Sequence, residues 1–266
     1  MHPAQLAAFV LLLMHGATAM GTAAGSHVPS SCSVATGART LPLVELYTSE
    51  GCDSCPPADR WLRTTFPPRG TQAPAGAVLA FHVDYWDALG WPDRFADAAY
   101  SARQQALVRA ANGRTTYTPQ VFVQGKDRGL WRNGAVRDAI DAVAQDPARA
   151  KIELKVRNDG ERIVVDVTAA VVGDRRSDAV LKVALTESGL SSRVTAGENR
   201  GARLEHDHVV RALVTGPGFD AGGHARGTMD IARPRERGRD ANVVAFVELG
   251  STGEILQSVM LELCGP

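Results

Sequence analysis

The stretch from Leu43 to Arg60, LVELYTSEGCDSCPPADR, constrains the fold of this chain more than any other. An apolar, β-prone run, Leu43-Val44-Glu45-Leu46-Tyr47, leads through a short turn to Cys52-Asp53-Ser54-Cys55 and two prolines. Proline suits a first helical turn, where its missing N–H costs nothing, so a helix is expected from Pro56 or Pro57. Ala58, Trp61, Leu62 and Thr65 then share one face at i, i+3, i+4 spacing. A strand feeding a Cys-x-x-Cys at a helix start is what a dithiol redox site needs. The helix terminus offers partial positive charge and free N–H groups to a thiolate, and the two-residue spacer lets the second sulfur close on the first. Half a zinc site has the same spelling, but no second Cys-x-x-Cys and no His-x-x-x-His occurs to complete it.

A length of 266 residues exceeds the usual single domain, which predicts two. Lys plus Arg equals Asp plus Glu, so the net charge is zero, which argues against a nucleic-acid partner. Residues 1–24 read as an export signal. Leu6 to Met14 is too short to span a bilayer, and Ala17-Thr18-Ala19 and Thr22-Ala23-Ala24 are small-residue cleavage candidates, although the n-region has no Lys or Arg. The alternative is a buried or membrane-lying N-terminal helix. No lipobox-like run precedes Cys32, and no later run is long and apolar enough to span a membrane. The expected location is periplasmic or secreted, where disulfides persist. Cys52 and Cys55 form the local pair. Cys32 and Cys264, near the two ends of the mature chain, are expected to bridge and to stabilise it by about 2–4 kcal/mol; free tail thiols or intermolecular pairing are the alternatives.

Residues 25–40, rich in Ser, Gly and Pro, read as a leader without structure. Residues 41–150 read as an α/β domain. Its strands are Leu41–Tyr47, the near-continuously apolar Ala77–Val83, and Val121–Val123; a helix is expected over Asp93–Ala111, and another carries Val136, Ala139, Ile140 and Val143. From Lys151 the pattern changes to alternation broken by turns such as Asn158-Asp159-Gly160, with no helical stripe. Residues 151–266 are therefore expected to form an all-β, sandwich-like domain. The charged stretch Ala232–Asp240 reads as a solvated turn.

The order in 41–150 resembles the thioredoxin-like fold, and Thr118-Pro119 resembles the cis-proline that in that fold faces the dithiol. More narrowly, VELYTSEGCDSCPPAD, FHVDYWDALGWPD, YTPQVFV and ENRGARLEHDHVVRAL resemble the DUF1223 family, bacterial secreted proteins sharing a thioredoxin-like domain of unknown function. The resemblance runs from about Leu43 to the C-terminus. It implies fold and compartment, and it implies that Tyr117, Thr118 and Pro119 hold a substrate backbone.

Cys52 is expected to be the exposed attacking thiol and Cys55 the shielded resolving thiol. Asp53 opposes thiolate formation against a helix-terminus contribution of about 0.3–1 kcal/mol, which predicts a poor oxidant. By resemblance, Glu45 is a buried acid relaying protons to Cys55; a structural, hydrogen-bonded Glu is the alternative. His82 and Asp84 are candidates for a proton shuttle, against a loop-anchoring role. Trp86, with Leu89 and Trp91, is expected to roof the site and meet substrate, or to pack under the inserted helix. His206 and His208 would point to one strand face. No resident metal or cofactor is expected. The leading reading is a thiol–disulfide oxidoreductase acting on a thiol- or disulfide-containing protein or a small thiol. The alternatives are a copper carrier using Cys52, Cys55 and His82, and a non-enzymatic binding module with a static bridge.

Overall fold

The computed structural model describes residues 30–68, 75–129, 131–173 and 176–265. The expected export signal and residues 25–29 lie outside the described residues. Strand β1 (Ser30–Ala35) precedes β2 (Leu43–Thr48), α1 (Pro56–Thr65) and β3 (Ala77–His82). Then come α2 (Ala98–Ala110), β4 (Gln120–Val123), the short β5 (Lys126–Asp127) and α3 (Ala135–Val143). The remainder is β: β6 (Ala150–Asn158), β7 (Arg162–Val171), β8 (Ala179–Ser188), β9 (Leu190–Arg193), β10 (Arg203–His206), β11 (Val209–Thr215), β12 (His224–Ala232), β13 (Asp240–Leu249) and β14 (Ile255–Glu262). The protein is mostly β, and its strands fall into several sheets.

An eight-stranded sheet runs β14-β13-β8-β11-β3-β2-β4-β5, a four-stranded sheet runs β1-β6-β7-β12, and β9 and β10 pair separately. The expected division at residue 150 is corrected to this extent: one sheet carries strands from both sides of it. The cause is β3. Its residues are buried along the whole strand, so both of its edges need partners. β2 takes one edge in parallel, and β11 takes the other, with Val209 opposite Ala80. Beyond β11 the sheet stacks on the four-stranded one like a sandwich, with Ile152, Val165, Leu181, Val183, Val243 and Ala245 between them.

The expected unstructured leader is also corrected. Ser30–Ala35 pairs antiparallel with β6, because alternate positions carry Cys32 and Val34 against the sandwich core. Cys32 is bridged to Cys264, with Cα atoms 5.9 Å apart, and this ties β1 to the segment after β14. Helix α2 starts at Ala98, later than expected, where Asp97 caps it by accepting from the Ala99 N–H at 2.8 Å. No helix among the described residues is long and apolar enough to cross a membrane.

Alternation along β2 sets up the site. Val44 and Leu46 pack with Ala58 and Leu62 of α1 and Ile140 of α3. Leu43 and Tyr47 face the other way, onto Phe81 and, from α2, Tyr100 and Leu107.

Candidate functional site

The chain leaves β2 through Thr48-Ser49-Glu50-Gly51 and enters α1 at Cys55, its N-cap. The Cys55 carbonyl accepts from the N–H groups of Ala58 at 2.8 Å and Asp59 at 3.1 Å, which fixes the first turn. Cys52 and Cys55 are joined by a disulfide, with Cα atoms 5.5 Å apart. Cys52 Sγ lies 3.3 Å from Ser54 Oγ and 4.0 Å from the Thr118 carbonyl oxygen. The Thr118–Pro119 peptide bond is cis.

Cys52 is not the exposed sulfur expected. Both cysteines are 0% exposed, although Asp53 and Ser54 between them reach solvent. Three walls surround the loop. Trp86 forms one, and its indole Nε1 donates to Thr118 Oγ1 at 2.8 Å. The turn before β4 forms the second. Buried Gln104 donates to the Tyr117 carbonyl at 2.8 Å and to Gln120 Oε1 at 2.7 Å, and the Tyr117 hydroxyl donates to the Asp127 carboxylate at 3.2 Å. Burial and then the Asp127 charge push the Tyr117 hydroxyl up to about 12. The third wall comes from the tip of the β9–β10 hairpin. Asn199 Nδ2 donates to the carbonyls of Glu50 and Cys52, both at 2.9 Å, and Glu198 Oε2 accepts from the Asp53 N–H at 3.1 Å. Glu198 and Asn199 open the family-like stretch ENRGARLEHDHVVRAL, but no catalytic spacing in it gave either a role at the site.

The structure separates the expected proton carriers. Glu45 shares its strand face with Leu43 and Tyr47, away from α1. It is ion-paired to Arg103, with Nη2 to Oε1 at 2.6 Å, and accepts from the Tyr47 hydroxyl at 2.8 Å. Arg103 also binds Glu248 at 2.8 Å. Glu45 is thus the structural acid, and the period-2 alternation of the strand is the reason. Asp84 accepts from the Ser101 hydroxyl at 2.5 Å, and its own N–H donates back to Ser101 Oγ, so it anchors the loop. His206 and His208 do not share a face. The chain turns between β10 and β11, where His208 takes φ +57°, and its Nε2 donates to the Phe66 carbonyl at 2.8 Å.

His82 instead joins a buried cluster linked to the Cys-x-x-Cys loop. It lies opposite Thr48 at the end of β3, and its Nδ1 is 2.6 Å from Asp93 Oδ2. The same Asp93 oxygen accepts from the Glu50 N–H at 2.8 Å. The Glu50 side chain accepts from Trp91 Nε1 at 2.8 Å and meets His206 Nε2 at 3.0 Å. Burial works to raise the Asp93 carboxyl, but the charge and hydrogen bond of His82, with the N–H donors of Glu50 and Phe95, hold it at about 2. Burial pulls His82 down, and Asp93, with smaller help from Asp59 and Glu50, offsets it and leaves the imidazole raised.

Asp59 lies one helical turn after Cys55 and on the same face of α1. Burial raises its pKa against the pull of His206 and His82 and the 2.9 Å hydrogen bond from Thr48 Oγ1. A cavity of about 120 Å³ between α1 and β10 reaches it past Pro56, Arg60 and Leu204. Its i+4 spacing from Cys55 is the one signal in the sequence that could have found it. Among the described residues no group of three or more His, Cys, Asp or Glu side chains is placed to hold a metal ion.

Fold and site together define a mostly β protein with an occluded Cys-x-x-Cys bridge at a helix start. The chain belongs to the family described as "Protein of unknown function (DUF1223)", whose model matches residues 43–248. It is similar to the solved structure of protein AGR_C_4864 from Agrobacterium tumefaciens, at 24% identity and a TM-score of 0.57 over 85% of this chain and 96% of that one. It is also similar to HBP35 of Porphyromonas gingivalis, at 15% identity and a TM-score of 0.65 over 85% of this chain and 76% of that one. At these identities the likeness shows the fold alone. No curated protein matches the chain.

Proposed function

We propose that this protein is an exported, thioredoxin-like thiol–disulfide oxidoreductase that works through Cys52 and Cys55. The observation that carries the reading is the bridge at the N-terminus of α1, with Cys52 Sγ 4.0 Å from the Thr118 carbonyl. A partner thiolate attacks Cys52 Sγ, a partner–Cys52 bond forms, the Cys52–Cys55 bond breaks, and Cys55 leaves as a thiolate. The macrodipole at the start of α1 stabilises that anion, and Asp59, one turn after Cys55 with its carboxyl raised by burial, supplies its proton. A second partner thiolate then attacks the partner sulfur and releases Cys52. Two electrons have passed from the partner dithiol to the bridge, and the reverse sequence reduces a partner disulfide. Tyr117, Thr118 and Trp86 form the surface a partner chain meets. The partner is a thiol- or disulfide-bearing protein or a small thiol, in the periplasm or outside the cell.

The test is insulin reduction, or refolding of a scrambled disulfide protein, by wild type and Cys52→Ser. Wild type alone should be active; equal rates would sink the reading. A second reading, a binding module with a static bridge, is favoured by the burial of both sulfurs. A bridge that stays closed in glutathione buffers would select it. The copper alternative has no comparable support, since His82 is held by Asp93.

A further inference from the structure

We propose that the tip of the β9–β10 hairpin, Gly197 to Arg200, is a clamp that shuts the Cys52–Cys55 bridge and lifts to admit a partner thiolate. The inference rests on the oxidoreductase reading for its purpose, but its geometry stands independently.

Attack on Cys52 requires a thiolate to approach its sulfur in line with the bond to Cys55, and that sulfur is fully covered. Of the three walls, two are braced from behind, Trp86 by Thr118 and the Tyr117 turn by Gln104 and Asp127. The hairpin tip is attached differently. Its polar grip on the loop is to backbone: Asn199 to the Glu50 and Cys52 carbonyls, and Glu198 to the Asp53 N–H. The Asp53 N–H that Glu198 holds belongs to an exposed residue and meets water when the tip lifts. The grip is therefore cheap to break and easy to remake.

The tip is also built to move as a unit. It closes on itself through Arg200 N–H to the Gly197 carbonyl and Ala202 N–H to the Asn199 carbonyl. It is bounded by Gly197 at φ +68° and Gly201 at φ +88°, left-handed positions where glycine gives freedom to swing. The base, by contrast, is pinned. Arg94 donates to Ser192 Oγ and the Ser191 carbonyl, Arg63 pairs with Glu205 and Asp207, and His206 meets Glu50. β9 and β10 pair only with each other among the described strands, so lifting the tip breaks no ladder of either large sheet.

The experiment measures how fast dithiothreitol opens the bridge, by quenching with a maleimide and weighing the labelled protein. One dithiothreitol thiolate attacks Cys52, its second thiol closes on the first, and two electrons reach the bridge. Asn199→Ala and Glu198→Ala should open about tenfold faster than wild type, the order expected for one or two lost hydrogen bonds. Glu198→Gln keeps the acceptor for Asp53 and should open at the wild-type rate. Rates within about twofold of wild type in both alanine variants would overturn the clamp. Equal acceleration in Glu198→Gln and Glu198→Ala would also overturn it, because charge and not grip would then be the cause. Should Asn199→Ala unfold, the isosteric Asn199→Asp, which loses the donor, decides with Glu198→Ala. Insulin reduction run beside these assays separates the two ideas. Faster opening without insulin reduction by any variant leaves the clamp and removes the oxidoreductase. Insulin reduction by wild type with unchanged opening does the reverse.

Discussion

Replacing Asp93 with asparagine removes a charge beneath the Cys-x-x-Cys loop and keeps the shape of the side chain. In the folded chain this carboxyl sits at about 2, against an ordinary 3.8. A group depressed on folding contributes stability that is complete above its unfolded pKa and is lost as pH falls through the folded one. At about 1.4 kcal/mol per unit, the difference amounts to about 2 kcal/mol, present at neutral pH and lost between roughly pH 4 and pH 2. Asparagine can still accept from one of the N–H groups of Glu50 and Phe95, but it leaves His82 without its counter-ion. Breaking a buried pair costs about 3–5 kcal/mol, so Asp93→Asn should lose about 2–5 kcal/mol at pH 7. His82 gives the mirror image. Its folded pKa is raised, so its contribution is full below its unfolded value, near the ordinary 6.5, and is lost as pH rises through the folded one. The pair is therefore strongest between about pH 4 and pH 6.5. Urea unfolding of wild type and Asp93→Asn from pH 7 down to pH 3 reads this directly. The gap should narrow toward acid. A gap under about 0.5 kcal/mol at pH 7, or one that stays constant to pH 3, would refute the linkage argument.

Three further outcomes are expected. Arg103→Met strands the buried carboxylates of Glu45 and Glu248 and should destabilise by about 3–5 kcal/mol at pH 7; burial holds the Glu248 carboxyl above its ordinary value, so the loss should shrink in urea titrations toward acid as Glu248 protonates. Cys32→Ser with Cys264→Ser should cost about 2–5 kcal/mol in the same assay and leave insulin reduction unchanged, because that bridge ties β1 to the segment after β14 and takes no part in the Cys-x-x-Cys loop. Asp59→Asn should slow release of the mixed disulfide and flatten its pH dependence while the protein stays folded; an unaltered pH profile would remove Asp59 from proton transfer.

The strand–loop–helix at Leu43–Arg60 was legible because three local signals agree: an apolar run, a turn, and prolines at the helix start. The alternating strands β6 and β7 were legible for the same reason, with each residue's face fixed by its neighbours. What failed was non-local. β1 hides in a serine-rich stretch because only Cys32 and Val34 face inward. β9 and β10 are four residues each and polar, too short to show a period. The union of β3 with β11 joins residues far apart in the chain, and an apolar strand announces that it needs partners without naming them. Glu45 shows the same limit at the site. Its alternation with Val44 and Leu46 already told which face it shares, but only the packing of α1 on one side and Arg103 on the other told what that face means.

The charges around the bridge decide which way the couple leans. Reduction to a thiolate is favoured wherever the thiolate is stabilised, and strong dithiol oxidants owe their potential to that. Here the helix terminus helps by about 0.3–1 kcal/mol. Two exposed carboxylates, Asp53 and Glu198, stand at the mouth, and the Glu198 carboxylate is hydrogen-bonded to the loop itself. Below the loop the raised His82 is already neutralised by Asp93, and so offers the sulfurs little. Among the described residues no Lys or Arg side chain hydrogen-bonds to either sulfur to offset the acids, while burial works against any anion formed there. The oxidised form should therefore be the stable one. Equilibration with defined glutathione and dithiothreitol ratios should place the couple well to the reducing side of the strong dithiol oxidases, which lie at about −120 mV. A potential at that oxidising end would mean that the thiolate is stabilised by something other than these side chains, and the electrostatic argument would fail with it.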